Sequence, residues 1–504
     1  VSQDQSAADS GQAVLREDPS VRRRPAHPLR WRALAVSQLA AFMALLDVSI
    51  VNVALPSIER GLHMTAGTAQ WVVSGYALTF GLALVPAGRL GDALGRRRMF
   101  LIALSAFVVT SALTGAAPTV GLLIAARLLQ GLAGGMLTPQ NSGLIQDLFQ
   151  GEERGRAFGI MGATIGVATA AGPIAGGLIL AVVSGPDAWR YVFYVNVPIG
   201  LIALVLAARL VPAGASGRLR DTHLDLVGSL LLGAGVFSLL LPLVDAQTSG
   251  FGQDWWMFAV AVILLVAFGW WELRTVLRGR QPLLDPRLAR TAGYATGTLI
   301  GMAYFIGFTG IWLVLALYFQ DGLGYSPLHS GLAVTPFALG VAGSAAVAGR
   351  LVTRFGRRLT CWGLGLTAAG LISTALLLPR MSAGGSAWTI TGPLLIAGIG
   401  GGMVTSPNLT LTLQFVPVRM AGAAGGALQT AQRIGGAIGT AVLATIYYNA
   451  LTGGTHFADA ASEALLAASG LMLVALVIAI ADLVRHRSHR HPSPLRPANT
   501  TVGS

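Results

Sequence analysis

The chain has 504 residues, 54% of them hydrophobic and only 11% charged, with a mean hydropathy of +0.66. Soluble domains carry about a quarter charged residues, so a soluble globular protein is excluded and a polytopic membrane protein is expected. The net charge of +13 comes from 34 basic residues, every one an arginine, placed in short loops on one side of the apolar runs. That is the arrangement that orients a membrane protein, not the clustered patch of a nucleic-acid binder.

Residues 1–32 are polar, contain Arg22-Arg23-Arg24 and lack the apolar core of a signal peptide. They are expected to form a cytoplasmic tail. At about 20 residues per span, the apolar runs then give fourteen helices. The first six cover approximately 33–55, 69–90, 98–117, 119–141, 157–183 and 190–211. Two more fall near 225–246 and 255–272, and a last six near 294–319, 328–350, 359–378, 388–410, 421–449 and 464–484. The implied division is an N-terminal six-helix bundle (33–211), a linker with two inserted helices (212–293), a C-terminal six-helix bundle (294–484) and a second cytoplasmic tail (485–504).

Arginine bias supports this order. With the tail inside, Arg96 to Arg98, Arg154, Arg156, Arg218, Arg220, Arg274, Arg278, Arg287 and Arg357 share one side, and little beyond Arg60, Arg190 and Arg380 lies opposite. Both termini are therefore expected in the cytoplasm. Trp31, Trp189, Trp255, Trp256, Trp270 and Trp271 mark span ends, where amphipathic rings sit. The single cysteine, Cys361, rules out a disulfide framework or a cysteine metal site within one chain.

Between the second and third spans runs Gly88-Arg89-Leu90-Gly91-Asp92-Ala93-Leu94-Gly95-Arg96-Arg97-Arg98. Glycines let such a loop turn tightly, and its acid is free to pair locally or to cap a neighbouring helix. The stretch returns in register as Gly349-Arg350-Leu351 through Gly356-Arg357-Arg358, with the acid lost. Gly134-Gly135-Met136-Leu137-Thr138 is likewise echoed by Gly401-Gly402-Met403-Val404-Thr405. Two such repeats point to two related halves.

Charges inside spans cost roughly 2.5–3.5 kcal/mol each on insertion scales and need a reason. Asp47 is the one carboxylate placed well inside a span, with Ser49 and Asn52 two and five positions on. Exposed to each side in turn, it could load and release a proton; a structural acid paired with a neighbouring helix is the plainer alternative. Arg127, followed by Gln130, keeps its charge at all physiological pH. It must face a wet cavity, find an anion or snorkel to the interface. Gln429, Gln432 and Arg433 share one broad helical face that would suit a polar cavity wall. From Gly159 to Gly177, small residues and Pro173 mark a close helix seam able to bend.

Taken together these motifs resemble the fourteen-span drug:proton antiporter family of the major facilitator superfamily, across essentially the whole membrane region. The Asp92 loop is similar to the superfamily signature, with Ala93 where a basic residue often stands. Leu46 to Pro56 resembles the first-span motif of drug exporters, with Ser49 where threonine is usual. Arg127 and Gly131 match the fourth-span motif, and Gly172-Pro173 with Gly176-Gly177 the fifth-span antiporter motif, although an expected glycine is Ala168. Trp189 to Gly200 resembles a segment typical of the fourteen-span branch.

The resemblance implies an all-α major facilitator fold, two six-helix bundles around a central cavity plus two inserted helices. It implies Asp47 and Arg127 as proton-coupling residues, and Gly88, Asp92, Gly95, Arg96 and Arg97 as a cytoplasmic gate. Gly172, Pro173, Gly176 and Gly177 would set the direction of transport, and Asn52, Gln130, Gln429, Gln432 and Arg433 would line the substrate cavity. The expected activity is proton-driven export of small organic molecules, drugs or antibiotics, across the cytoplasmic membrane; the partners are that substrate, protons and the bilayer, and the chain is expected to be a monomer. A proton-coupled importer of a metabolite and a non-transporting sensor of the same fold are the alternatives. With no phosphate-cradling loop and no metal cluster, no enzyme, cofactor, metal or nucleic acid is expected. No extra acid is found deep in the later spans, which favours a neutral, amphipathic or weakly anionic substrate over a dication.

Overall fold

A computed structural model describes residues 27–183, 185–213, 225–249, 254–291, 293–380 and 387–488. Most of the two expected tails, and Arg218 and Arg220 of the expected linker, lie outside the described residues. The helices are α1 (Arg30–Leu62), α2 (Ala66–Leu94), α3 (Arg96–Ala116), α4 (Val120–Leu148), α5 (Gly151–Val182) and α6 (Arg190–Leu210). The inserted pair is α7 (Leu226–Ser249) and α8 (Trp256–Leu277). After a short 3-10 turn at Pro286–Arg290 come α9 (Tyr294–Leu317), α10 (Pro327–Phe355), α11 (Arg357–Leu377), α12 (Thr391–Leu413), α13 (Ala421–Thr452) and α14 (Phe457–Ser488).

Among the described residues fourteen helices are long and apolar enough to cross a membrane, as expected. Several run past the expected spans: α1 continues from 55 to Leu62 and α14 begins at Phe457 instead of 464. Hydropathy registers the hydrocarbon core, whereas the helix persists through the headgroup zone as long as its backbone bonds are made.

Local sequence explains where the helices start and stop. Thr65, Thr119 and Ser326 cap α2, α4 and α10 by accepting from the amides of Thr68, Leu122 and His329. Gly95 (φ 94°) and Gly356 (φ 54°) break the chain between α2 and α3 and between α10 and α11, so the two copies of the loop motif make corresponding turns. In α6 the helix is interrupted at Val195. Pro198 accounts for this, because its ring lacks an amide and crowds the carbonyl four residues earlier.

Helices α1–α6 and α9–α14 pack as two six-helix bundles, joined along the α5–α10 seam and at α2–α13. Glycine permits both approaches. A Cβ on Gly155, Gly159 or Gly166 would press on the α10 backbone, and one on Gly426 on the α2 backbone. Without a hydrophobic drive between helices in lipid, such close van der Waals contact supplies much of the association. At the arginine-rich end, Leu34, Phe158, Tyr294, Leu413 and Leu428 from both bundles bury one another in a single apolar cluster. The other large clusters stay within one bundle each. Helix α7 lies over the α2–α13 junction, with Val236 and Leu240 buried against Leu78 and flanked by Ile434.

Candidate functional site

Asp47 and Arg127 meet inside the first bundle, 0% and 1% exposed, with Arg127 Nη1 2.7 Å from Asp47 Oδ2. Arg127 Nη1 also donates to Gln130 Oε1 (2.9 Å) and Nε to the Val72 carbonyl (3.0 Å). The second carboxylate oxygen of Asp47 accepts from Gln130 Nε2 (3.0 Å) and Asn196 Nδ2 (2.7 Å). The guanidinium lies 4.3 Å from the Tyr76 ring centroid. Snorkelling is therefore excluded: the arginine runs inward to an anion. A pair this buried is not a cheap source of stability, since desolvation offsets much of its attraction; breaking it is costly.

Gln130 is wholly buried in this network and is not a cavity-wall residue as expected. Its amide is committed at both ends, so the helical spacing that put it near Arg127 also removed it from solvent. Asn196 was not singled out by sequence. It stands just after the break in α6, donates to Asp47 and Ser111 Oγ, and is wholly buried. Its one signal was its place inside the Trp189–Gly200 segment; a neutral amide in a span raises no charge alarm.

The glycine motif of α5 presents two faces. Gly172 and Gly176 face α1 of their own bundle: a Cβ on Gly172 would collide with Ser49, and one on Gly176 would sit 3.1 Å from Ile50 Cγ1. Pro173 and Gly177 face α10 of the other bundle, against Gly331 and Leu328. The segment thus seats the helix that carries Asp47 while contacting the opposite bundle.

At the arginine-rich end Asp92 bridges the bundles. Its carboxylate accepts from the amides of Gly422 and Ala423, each at 3.0 Å, in the first turn of α13. A helix N-terminus offers unpaired amides and a positive dipole end to such an anion. Arg96 reaches Asp92 (2.8 Å), Asp147 (2.6 Å) and the Val418 carbonyl (2.9 Å). Gly88 allows the crossing, because a Cβ there would collide with the Gly422 carbonyl. Arg97 turns instead to the Ala208 carbonyl of its own bundle, so the bridging contacts are those of Asp92 and Arg96.

In the second bundle the acid missing from the repeated loop is replaced from elsewhere. Arg357 pairs with Asp482 of α14 at 2.9 Å and donates to Asn408 Oδ1 at 2.6 Å. Asp482 is only 5% exposed, a buried acid that the sequence reading did not single out. It lies near a helix end, where sequence position suggests solvent and packing denies it.

The three α13 residues expected on one cavity wall diverge. Gln429 Nε2 donates across the interface to Ser142 Oγ at 3.0 Å. Gln432 lies against Gly301 of α9, and the Arg433 guanidinium sits 4.3 Å over the Phe80 ring of α2. No acid among the described residues pairs with Arg433. Asn52 is exposed.

The Major Facilitator Superfamily profile matches residues 39–440. The chain belongs to the major facilitator superfamily. This major facilitator protein is 35% identical over 431 residues to a probable actinorhodin transporter of Streptomyces coelicolor, covering 85% of this chain and 74% of the relative. It is 37% identical over 427 residues to the puromycin resistance protein pur8 of Streptomyces alboniger (83% and 82%). To the tetracenomycin C resistance and export protein of Streptomyces glaucescens it is 33% identical over 454 residues (89% and 82%). The expected resemblance to drug exporters of the superfamily holds. Among solved structures, the human organic anion transporter MFSD10 superposes with a TM-score of 0.63 at 17% identity, covering 90% of this chain and 100% of that one. The proton:xylose symporter XylE gives 0.61 at 15% identity, with 90% and 95% covered. These two share its fold. The protein is a transporter of this superfamily and not an enzyme.

Proposed function

We propose that this transporter is a proton-coupled antiporter that exports small organic molecules, drugs or antibiotics, across the cytoplasmic membrane by alternating access. Both chain termini and the Asp92 contacts lie on the cytoplasmic side. The observation that carries the reading is the wholly buried Asp47–Arg127 pair, held by Gln130 and Asn196, on a helix seated against α5, which also contacts the opposite bundle. A proton arriving on Asp47 removes the negative charge facing Arg127 and leaves a buried cation without its counter-ion. That state is relieved by rearrangement around α1, which Gly172 and Gly176 seat against α5. Names of relatives that include resistance and export support the outward direction.

Sealing at the cytoplasmic end rests on the apolar cluster of both bundles and on Asp92 at the start of α13. These contacts belong to a state open to the outside. Arg433, stacked on Phe80 and without an acidic partner among the described residues, favours neutral or weakly anionic aromatic substrates over dications.

The test is substrate-induced proton movement in proteoliposomes across a drug panel, comparing the unmodified chain with Asp47→Asn. Exchange of substrate for protons by the native chain, lost in the variant, is the expected result. Full coupling in Asp47→Asn would overturn the assignment of the proton to Asp47. Substrate flux with no proton movement in either protein would overturn the driving ion.

A further inference from the structure

The inserted pair carries an acid cluster that the transport site does not use. Glu272, on α8, is 1% exposed. One of its oxygens, Oε2, accepts from the Leu284 amide at 3.3 Å, whereas Oε1 is buried without a hydrogen-bond partner. Asp225, at the start of α7, is well supplied with donors: the Gly228 amide at 2.7 Å and Trp271 Nε1 at 2.9 and 3.0 Å. Both carboxyls converge over Gly228. A Cβ there would lie 2.5 Å from Glu272 Oε1 and 2.8 Å from Asp225 Oδ2, so the two oxygens aim at the same small space.

Among the described residues the surroundings supply no counter-ion. From α7 the charged group facing Glu272 is Asp225 itself. On α8, Arg274 lies over the Trp270 ring. In the connector, Asp285 and Arg287 satisfy one another at 2.8 Å. From α2, Arg89 donates to Gln281 Oε1 at 2.6 Å. The α13 contribution is the apolar Ala427. Among the described residues no arginine pairs with Asp225 or Glu272. Two carboxylates at such close quarters in a buried place cannot both be ionised; sharing one proton resolves the conflict.

We propose that Asp225 and Glu272 form a second proton-binding site, separate from Asp47, that holds one proton between two carboxyls and fastens the connector to the inserted helices. The proton sits on Glu272 Oε1, the oxygen that lacks a donor, and is donated to Asp225 Oδ2. Asp225 is the accepting member because the Gly228 amide and Trp271 Nε1 already donate to it. With the proton in place, Glu272 Oε2 holds Leu284, and the neighbouring Leu283 stays buried with Val85 of α2 and Phe268 of α8. Loss of the proton to water sets two negative charges against each other over Gly228 and parts α7 from α8. The connector is then released from α2, the helix that also carries Asp92. The site therefore tunes transport to the pH on the arginine-rich side.

The test uses the full chain in the Asp47→Asn background, so that the candidate coupling acid contributes nothing. Infrared difference spectra against pH, taken as Asp47→Asn minus Asp47→Asn/Glu272→Gln, should reveal one protonated-carboxyl carbonyl band that the double variant lacks, and adding Asp225→Asn to Asp47→Asn should shift that band. Gly228→Ala, which keeps both carboxyls but intrudes between them, should shift that band. With Asp47 restored, substrate flux by Glu272→Gln should lose at least about half of its variation with pH on the arginine-rich side. An unchanged band in both acid variants overturns the proposal. Displacement of the band by sodium or calcium chloride at constant pH also overturns it, by making the pair a cation site. Because the spectra do not depend on transport, their outcome stands apart from whether Asp47 couples protons.

Discussion

Replacing Asp47 by alanine would leave Arg127 charged and 1% exposed with nothing opposite it. The substitution removes one ion pair at 2.7 Å and strips the acceptor from Gln130 Nε2 and Asn196 Nδ2. Hydrogen bonds to charged groups contribute about 1.5–3 kcal/mol each, but their loss here is not additive. Removal of one member of a buried pair costs about 3–5 kcal/mol as a whole, a hundredfold or more in the folding equilibrium. Denaturation of the purified chain in detergent, followed by tryptophan fluorescence, measures it. The companion Arg127→Gln and the double variant Asp47→Ala/Arg127→Gln complete a cycle, with an expected coupling of at least about 1.5 kcal/mol. Destabilisation under about 1 kcal/mol with additive single effects would refute the buried pair, because exposed pairs contribute no more than that.

Other outcomes follow from the same geometry. Gly172→Ala should abolish transport because its Cβ collides with Ser49, whereas Gly177→Ala meets Leu328 at an ordinary 3.4 Å and should keep at least about half the native rate in vesicles. Asp92→Asn gives up the charge at the α13 N-terminus and the pair with Arg96, about 1–2 kcal/mol. Labelling of an Ala424→Cys probe, in a Cys361→Ser background, should then rise roughly tenfold as the arginine-rich end opens. Asn196→Ala should leave the chain folded but cut the protons moved per substrate; unchanged coupling would remove it from the network. Arg433→Gln should weaken binding of acidic aromatic substrates about tenfold relative to neutral ones, read by competition.

Much of the fold was legible because lipid imposes one rule: backbone groups are satisfied within helices, so apolar runs of sufficient length become spans. The repeats at Gly88 and Gly349 marked turns that glycine makes in both halves. Asp47 and Arg127 could be read as anomalies in spans, but not as partners, since they stand 80 positions apart and only packing brings them together. Neutral polar groups were the blind spot. Asn196 carries no charge, and its orientation follows from a helix break that Pro198 imposes. Burial near helix ends was the other. Asp482, Asp225 and Glu272 fall where hydropathy suggests an interface, yet Asp482 and Glu272 are enclosed by neighbouring elements. The divergence of Gln429, Gln432 and Arg433 shows that a shared helical face does not fix a shared neighbour when three other helices converge on it.

The placement of α7 bears on how greasy molecules can reach the centre. The gap between the two bundles at α2 and α13 is a natural side door from the bilayer. Here Val236 and Leu240 lie across it from Leu78 to Ile434, and farther along Phe268 and Leu283 close on Val85 beside Ala427. A lipid-dissolved compound meets a wall of side chains at that door. In this conformation lateral entry along the α2–α13 flank is shut, and a membrane-partitioned compound must go round to an open end of the molecule.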